Sequence, residues 1–165
     1  MTLSRRSFLL SGTAVAALGA VALTMRGMPS SHAAEGTFEV VKTEAEWRAQ
    51  LSPEEYAVLR EEATEYPGTS PLLAEKRAGT FVCRGCDLPL FDAATKYESN
   101  TGWPSFYQPI DDAIGESTDH LLGYARTEVH CIRCGGHMGH VFDDGPPPTG
   151  LRYCINGVSL KFVPA

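Results

Sequence analysis

Five cysteines are the residues of this sequence whose type and spacing point most directly to chemistry. Cys83 and Cys86 form one Cys-x-x-Cys pair, and Cys131 and Cys134 form a second pair after a gap of 44 residues. A two-residue spacer lets both sulfurs of a tight turn face one ion, so two such pairs can surround Zn²⁺ tetrahedrally. Such a site has no open coordination position, and we predict one structural zinc ion per chain. Two disulfides or two dithiol redox sites are the alternatives.

Cys154 lies outside both pairs, in the alternating apolar segment 153–160. A cysteine in a strand is more often a small buried apolar residue than a nucleophile. Its neighbours are polar, however, because Arg152 is expected to lower the thiol pKa and Asn156 points to the same face of a strand. Cys154 is therefore a candidate nucleophile.

Two histidines and two aromatic residues lie in glycine-rich or turn-prone segments. His137 and His140 follow the second cysteine pair closely and could be further zinc ligands, but four cysteines already suffice. We therefore consider them candidates for acid–base or hydrogen-bonding roles. Trp103 and Phe106 lie in the turn-prone segment 100–107, where an aromatic side chain can belong to the core or to a pocket.

The elements that must position these residues are of two kinds. Residues 43–65 have a helical pattern, with helix starts at Thr43-x-x-Glu46 and at Ser52-Pro-Glu-Glu55. Beyond Pro71, short apolar runs alternate with turn residues, which is typical of antiparallel strands. The candidate strands are residues 80–83, 88–91, 120–124, 127–130, 140–142 and 151–163. The pattern predicts a small, mainly β domain with helices at its N-terminal side.

Residues 1–34 have the pattern of an export signal. Ser4-Arg-Arg-Ser resembles the twin-arginine motif, an uncharged stretch of 19 residues ends at Met25, and Ser31-His-Ala33 suits a signal peptidase. An uncleaved membrane anchor is the alternative. The twin-arginine route transports folded proteins, which suits a domain that must bind zinc before it meets an oxidising compartment. We predict an exported, periplasmic or otherwise extracytoplasmic protein.

Residues 35–165 are expected to form one acidic domain. Without residues 1–33 the chain has 11 basic and 20 acidic side chains and a net charge near −9. Such a surface repels phosphate backbones, and no stripe of lysine and arginine is present, so nucleic acid is excluded as a partner. We expect a monomer whose modest core benefits from a bound metal.

Three segments resemble the methionine-R-sulfoxide reductases of the B type: residues 102–106, 133–145 and 152–160. They occur in the family's order together with both cysteine pairs, and the resemblance covers about residues 39–164. It implies a mainly β fold of two small antiparallel sheets with N-terminal helices, and a thioredoxin-like reductant. It also implies roles for the site residues. Cys154 would be the nucleophile, and His140 and Asn156 would be the polar groups beside the sulfoxide. Trp103 would be the aromatic wall against the substrate's methyl group, and Phe106 belongs to the same substrate-binding segment. His137 belongs to the same motif.

The expected chemistry follows from the polarised S–O bond of a sulfoxide. The Cys154 thiolate would attack the sulfur while His140, or a water bound to it, protonates the oxygen and Asn156 orients the reacting groups. Methionine leaves and Cys154 becomes a sulfenic acid. A chiral sulfur held against an indole face accepts one epimer, which is the R form by the family resemblance.

The chain departs from the family at one position. Many members have a resolving cysteine directly before the Gly-Trp-Pro segment, where this chain has Thr101. No sixth cysteine is present, so we expect an external thioredoxin-like or low-molecular-weight thiol to reduce the sulfenic acid. The substrate is expected to be methionine sulfoxide, free or within oxidised proteins.

Two other classes of function remain as alternatives. A zinc-knuckle binding module could keep the same fold without turnover, although the presence of all the site residues argues against it. A thiol peroxidase would need a reactive cysteine but no aromatic methyl pocket. Comparing turnover on a sulfoxide with turnover on a peroxide distinguishes the enzymes.

Overall fold

The computed structural model describes residues 37–165 of the chain. The export signal predicted for residues 1–34 lies outside the described residues. Within the described range, no helix is both long enough and apolar enough to cross a membrane.

Two short helices open the described part, α1 (Glu44–Gln50) and α2 (Pro53–Glu61). Both begin at the predicted helix starts, and each has a capping box: the hydroxyls of Thr43 and Ser52 accept a backbone N–H three residues on, and the glutamate there accepts the N–H of the capping residue. Helix α2 ends at Glu61, earlier than the predicted helical segment, because Glu62 adopts a left-handed conformation at φ 55°. The buried side chains of the two helices are Trp47, Tyr56, Val58 and Leu59.

Nine strands within residues 37–165 form two antiparallel sheets, which confirms the predicted fold class. The smaller sheet has the order β2–β1–β9 and the larger sheet the order β3–β4–β8–β7–β6–β5. The strands are β1 (Gly79–Cys83), β2 (Pro89–Asp92), β3 (Lys96–Tyr97), β4 (Ser105–Phe106), β5 (Ile114–Asp119), β6 (Arg126–Cys131), β7 (His137–Phe142), β8 (Arg152–Ile155) and β9 (Leu160–Pro164). The described residues also contain three 3₁₀ helices, Pro71–Ala74 between α2 and β1, Ala93–Thr95 between β2 and β3, and Gly157–Ser159 between β8 and β9.

Two of the predicted strands were wrong in position or extent. Residues 120–124 form the exposed turn between β5 and β6, and the strand itself is Ile114–Asp119. Residues 151–163 contain two strands in different sheets, because the 3₁₀ helix Gly157–Ser159 interrupts them. The chain therefore crosses from the large to the small sheet immediately after Cys154.

The core lies between the two sheets and is rich in phenylalanine. Phe91 of the small sheet stacks on Phe106 of the large sheet at 4.3 Å between ring centroids, and Phe81 meets Phe106 edge-on at 5.0 Å. Met138 of β7 is fully buried in the same core. Since aromatic pairs of this kind stabilise beyond the area they bury, these contacts fix the position of one sheet on the other.

Candidate active site and metal centre

The pairing of β7 with β8 places a histidine directly opposite the lone cysteine. His140 and Cys154 are register partners, and opposed residues on neighbouring strands project to the same face with Cβ atoms about 5 Å apart. Gly139 precedes His140 at φ 151°, and a Cβ there would lie 2.1 Å from the Cys154 carbonyl oxygen. Glycine is required at this position, because any larger residue would push β7 away from the cysteine.

A cavity of about 130 Å³ opens over this pair and contains four of the predicted site residues. Trp103, His140, Cys154 and Asn156 all line it. The remaining lining residues are Thr64, Arg126, Gly139 and Phe142. One thiol, one imidazole and one carboxamide thus face a space with an indole and a phenyl ring as apolar walls.

Phe106 and His137, also predicted as site residues, do not line the cavity. Phe106 is fully buried in the aromatic core, because neighbouring residues of a strand point to opposite faces and its side chain faces the small sheet. His137 is buried behind the site, where its Nδ1 bonds to the Glu128 carboxylate at 2.8 Å. Its ring meets that of His140 edge-on at 5.5 Å between centroids, so His137 contacts the site through His140.

Glu128 is a buried carboxylate that anchors this second histidine. It is 4% exposed and also accepts a hydrogen bond from the Ser117 hydroxyl. Burial alone would raise the pKa of Glu128, but the contacts with His130, His137 and Ser117 hold it well below its usual range. The group is therefore charged and fixed at neutral pH.

His140 is held by a carboxylate that no sequence motif indicates. Its Nε2 lies 2.8 Å from Asp119 Oδ2, and the Arg126 guanidinium donates to the same oxygen. Burial would raise the pKa of Asp119, but the hydrogen bond from the Leu121 N–H, together with His140 and Arg126, lowers it. Burial also lowers the pKa of His140. At neutral pH an ionised Asp119 therefore faces a neutral imidazole, which places the ring proton on Nε2 and leaves Nδ1 as an acceptor.

Cys154 is partly shielded from solvent beside a chain of hydroxyl groups. Its Sγ lies 3.8 Å from Thr101 Oγ1, which bonds to Ser99 at 2.8 Å, and Ser99 bonds to Ser105 at 2.6 Å. Burial raises the pKa of the thiol, while Thr101 and Arg152 lower it by smaller amounts. Arg152 thus lowers the thiol pKa as expected, but the net pKa of Cys154 lies above its ordinary value. Burial outweighs the cation, which is itself bound to Asp144 at 2.8 and 2.9 Å.

Glu65 fastens the N-terminal segment to the site. Its main-chain N–H donates to Asn156 Oδ1 and its carbonyl accepts from Trp103 Nε1, both at 3.1 Å. Its buried carboxylate accepts the N–H groups of Gly157 at 2.5 Å and Val158 at 3.1 Å, which begin the 3₁₀ helix after Asn156. Asn156 also donates from Nδ2 to the Met138 carbonyl at 3.1 Å, so one Nδ2 hydrogen is left for the cavity.

The four remaining cysteines form one cluster between the sheets. Cys83 ends β1 and Cys131 ends β6, and Cys86 and Cys134 lie in the turns that follow. All four sulfurs lie within 4.8 Å of one another. Sγ–Sγ distances of 3.7 Å (Cys83 to Cys134) and 3.5 Å (Cys86 to Cys131) exclude disulfides between these partners.

The cluster fits a tetrahedral metal ion in both spacing and donor type. Sulfurs bound to Zn²⁺ at its usual bond length stand about 3.8 Å apart, close to the observed values. The two turns also have the same backbone, because the N–H of the fourth residue after the first cysteine, Asp87 or Gly135, donates to that cysteine's carbonyl at 2.9 Å. Both of these residues have positive φ, at 60° and 66°. The four cysteines therefore form a metal site built from two equivalent knuckles.

Several residues that act on the site lie outside the sequence motifs. Asp119 and Arg126 flank the misplaced strand 120–124, and their pairing becomes visible only once β5 and β6 are in register. Glu65 lay at the end of a predicted helix. Their one signal in the sequence is that they are charged residues close to apolar segments. Glu128 has the same signal.

Comparisons with known proteins agree with this architecture. A family model described as the SelR domain matches residues 51–164. The chain therefore belongs to the SelR family, the family of the reductases that its sequence resembles.

Its relatives include several proteins named peptide methionine sulfoxide reductase MsrB. The protein of Pseudomonas putida (strain W619) is 58% identical over 127 residues, which cover 76% of this chain and 96% of the relative. The protein of Leptospira interrogans is 52% identical over 126 residues, covering 76% and 96%. The protein of Bradyrhizobium diazoefficiens is 50% identical over 138 residues, covering 83% and 99%.

Proposed function

We propose that this chain reduces methionine-R-sulfoxide, free or within polypeptides, to methionine, with Cys154 as the acceptor of the sulfoxide oxygen. The observation behind the proposal is the shared cavity in which Cys154 lies opposite His140 and beside the Trp103 indole. The names of the relatives support the substrate class.

The cavity walls match the two ends of a methionine sulfoxide side chain. Trp103 and Phe142 offer apolar surface for the methyl group and the methylene stem. Asn156 offers its remaining amide hydrogen to the sulfoxide oxygen. Because the apolar and polar walls are distinct, only one configuration at sulfur satisfies both while exposing the sulfur to Cys154.

The proton needed by the oxygen comes from the thiol by way of His140. At neutral pH Cys154 is a thiol and His140 is neutral with Nδ1 free to accept. His140 takes the thiol proton, directly or through a water, and the Asp119 carboxylate stabilises the imidazolium. The imidazolium then protonates the sulfoxide oxygen as the Cys154 sulfur attacks. The histidine is thus first a base and then an acid, which refines the role of simple donor expected from the sequence.

The oxidising equivalent ends on Cys154. The attack forms a bond between the Cys154 sulfur and the sulfoxide sulfur. The protonated oxygen then leaves the substrate sulfur and bonds to the cysteine sulfur, while the S–S bond breaks with its electron pair on the departing methionine. The substrate sulfur thus gains two electrons, and the cysteine sulfur loses two and becomes a sulfenic acid. Two external thiols then reduce it, forming their own disulfide and one water. Thr101, the hydroxyl residue nearest the Cys154 sulfur at 3.8 Å, cannot form an internal disulfide.

We also propose that the four-cysteine cluster holds one structural Zn²⁺. Cys83, Cys86, Cys131 and Cys134 would be its ligands, and four thiolates leave no position for substrate or water. When bound, the ion supplies stability by joining the two sheets. None of these cysteines lines the catalytic cavity.

A single-turnover experiment tests the proposed function. The mature chain, freed of external thiols, is mixed with each epimer of methionine sulfoxide. We expect about one methionine per chain from the R epimer and almost none from the S epimer, with a trappable sulfenic acid at Cys154. Cys154→Ser should give no product. Thr101→Cys should give an internal disulfide between the introduced thiol and Cys154 instead of the sulfenic acid.

Three outcomes would contradict the proposal. Equal turnover of both epimers would mean that the cavity does not select at sulfur. Faster turnover of hydrogen peroxide than of the R-sulfoxide would favour a thiol peroxidase. A wild-type product with Cys154 joined to one of the cluster cysteines would contradict the separation of the two sites.

Residues 1–34 are proposed to direct export by the twin-arginine route. The support is the Ser4-Arg-Arg-Ser motif followed by an uncharged stretch. Replacing Arg5 and Arg6 by lysine should leave unprocessed chain in the cytoplasm, measured by fractionation and mass spectrometry. Normal export of this double variant would refute the twin-arginine assignment and leave the catalytic proposal intact.

A further inference from the structure

The catalytic cavity lies beside a larger groove. At about 130 Å³ the cavity is smaller than the usual small-molecule pocket of roughly 300 Å³ or more, so it suits a single side chain. The adjacent groove has a volume of about 480 Å³ and shares Arg126 and Phe142 with the cavity. The groove is therefore within reach of the residues next to an oxidised methionine that enters the cavity.

The groove has an apolar floor and an acidic rim. Tyr124, Val141, Phe142 and Leu151 contribute apolar surface, and Glu116 and Asp143 are exposed carboxylates. Within the part of the chain that the structure describes, neither carboxylate forms an ion pair. Arg126 is the one cation among the lining residues, and Asp119 already neutralises it. The lining residues that have no ion-pair partner therefore give the groove a negative charge.

The turn beside the groove presents unusual apolar surface. Leu121 is 74% exposed, Leu122 58% and Tyr124 59%, and all three lie within residues 120–125. A contiguous patch of exposed apolar side chains binds other molecules more often than the rest of a protein surface does. This turn connects β5 to β6, so the same hairpin that supplies Asp119 and Arg126 to the site also supplies this apolar surface beside the groove.

We propose that this groove binds the polypeptide residues next to the oxidised methionine and favours basic side chains at those positions. The inference rests on the proposed function. Its occupant is an extended segment of an oxidised protein whose lysine or arginine side chains approach Glu116 and Asp143. Their aliphatic stems cover Tyr124 and Leu151, since long basic side chains bury their methylene groups while the charged end stays in water.

A peptide series tests the groove directly. Three blocked pentapeptides have methionine-R-sulfoxide at the centre, flanked on both sides by lysine, glutamine or glutamate. Blocked methionine-R-sulfoxide without flanking residues is the reference. We expect kcat/KM to fall in the order lysine, glutamine, glutamate, with about a tenfold difference between the extremes at low salt, because two exposed charge contacts change sign. The difference should shrink in 0.5 M NaCl.

A charge-neutral variant identifies the residues responsible. Glu116→Gln combined with Asp143→Asn should bring the lysine-to-glutamate ratio of kcat/KM close to one. The matched control is Asp111→Asn with Asp112→Asn, which removes the same charge from the exposed turn before β5 and should keep the wild-type ratio. Turnover of the blocked amino acid by each variant shows whether its cavity is intact.

The outcomes separate the groove from the proposed function. Equal kcat/KM for the three peptides, with good turnover of the blocked amino acid, would overturn the groove and leave the reductase proposal standing. A wild-type lysine preference that survives in the Glu116/Asp143 variant would also overturn it. No turnover of any R-sulfoxide by the wild type would overturn the proposed function itself.

Discussion

Asp119 and His140 together determine where a proton can move in the site. In the proposed mechanism the carboxylate holds the Nε2 hydrogen, so that Nδ1 is the ring nitrogen that exchanges a proton with Cys154 and the substrate. Arg126 keeps the carboxylate ionised by donating to the same oxygen. On this proposal, a neutral thiol and a neutral imidazole in the resting site hold the one proton that reduction of the sulfoxide needs.

The two pKa shifts predict a broad pH profile for the single-turnover rate. The pKa of His140 lies below its ordinary value of 6.5, and that of Cys154 lies above its ordinary value of 9.0. The rate should be constant between the two, since His140 is then neutral and Cys154 still has its proton. It should fall as pH decreases through the pKa of His140 and again as pH rises through that of Cys154. Rapid-quench measurements across this range, with buffers matched in ionic strength, check the profile.

Replacing Asp119 by asparagine should move the acidic limb of that profile. The carboxylate raises the pKa of His140, so its removal lowers that pKa further and shifts the limb to lower pH. The plateau rate should fall about tenfold to a hundredfold, because the imidazolium has lost its stabilising charge. The same substitution in a His140→Ala background should have almost no further effect. A full additional loss in that background would show that Asp119 acts by another route.

Glu65 shows how an element remote from the strands can fix the geometry of a site. Its main chain bonds to Trp103 and Asn156, and its side chain starts the 3₁₀ helix that follows Asn156. Asn156 is the N-cap residue of that helix but does not cap it with its own side chain, and Glu65 supplies the missing acceptor. The segment after α2 is thereby fastened to both walls of the cavity.

Glu65→Gln should therefore weaken substrate binding more than chemistry. A carboxamide can accept only one of the two N–H groups well, and the other is left without a partner at a cost of about 2 kcal/mol. We expect KM to rise severalfold, with a smaller change in the single-turnover rate at saturating substrate and a lower midpoint of thermal unfolding. Glu54→Gln, which removes an exposed charge from α2, is the control. A loss of rate with unchanged KM would contradict the positioning role.

The strands were predictable where burial left a pattern in the sequence. The buried residues of β1 are all apolar, whereas β6 buries Val129 and Cys131 beside the polar Glu128 and His130; both strands were located within one or two residues. Strand β5 is the outer strand of the large sheet and has the polar sequence Ile-Gly-Glu-Ser-Thr-Asp, because part of it faces solvent. The apolar run after it was mistaken for a strand although it is the exposed turn.

The site residues also divide into those that the sequence predicted and those that only the fold reveals. Trp103, His140, Cys154 and Asn156 lie in recognisable motifs, and the fold brings them to one cavity. Asp119, Arg126 and Glu65 reach them through strand pairing or a long-range hydrogen bond, and no local pattern indicates such a contact. Phe106 was predicted to bind substrate because it lies in the same motif as Trp103. Side chains alternate between the two faces of a strand, however, and that of Phe106 points into the core.

The two sheets are joined at one end by the cysteine cluster and through the middle by the phenylalanine core. One knuckle belongs to the β1–β2 turn of the small sheet and the other to the β6–β7 turn of the large sheet. Strand β7 leads from the second knuckle to His140, and β1 pairs with β9, which follows Cys154 and Asn156. A metal ion bound by the four cysteines would therefore constrain β7 directly and β8 through β9, although none of these cysteines lines the cavity.

Removal of the metal should destabilise the entire domain. We expect one equivalent of zinc per purified chain by elemental analysis. After chelation under denaturing conditions and refolding without metal, the unfolding midpoint should be lower by more than about 10 °C, since structural zinc contributes many kcal/mol in small domains. Methionine sulfoxide reduction should disappear together with the folded state.

Two cysteine variants distinguish metal binding from catalysis. Cys86→Ser should lose zinc and stability, whereas Cys154→Ser should keep one equivalent of zinc and the wild-type midpoint while losing all turnover. A folded, active wild-type sample with less than half an equivalent of metal would refute the structural role of zinc.

Met138 gives the domain a form of self-protection. It is the one methionine of residues 37–165, and its thioether is fully buried in the core while its carbonyl holds Asn156. An oxidant dissolved in the surrounding water reaches a buried sulfur only when the chain opens, so damage to this residue is limited by the rate and extent of unfolding. A protein proposed to repair oxidised methionine thus keeps its own methionine out of contact with the oxidants that create its substrate, and the folded domain does not need a second copy of itself for repair.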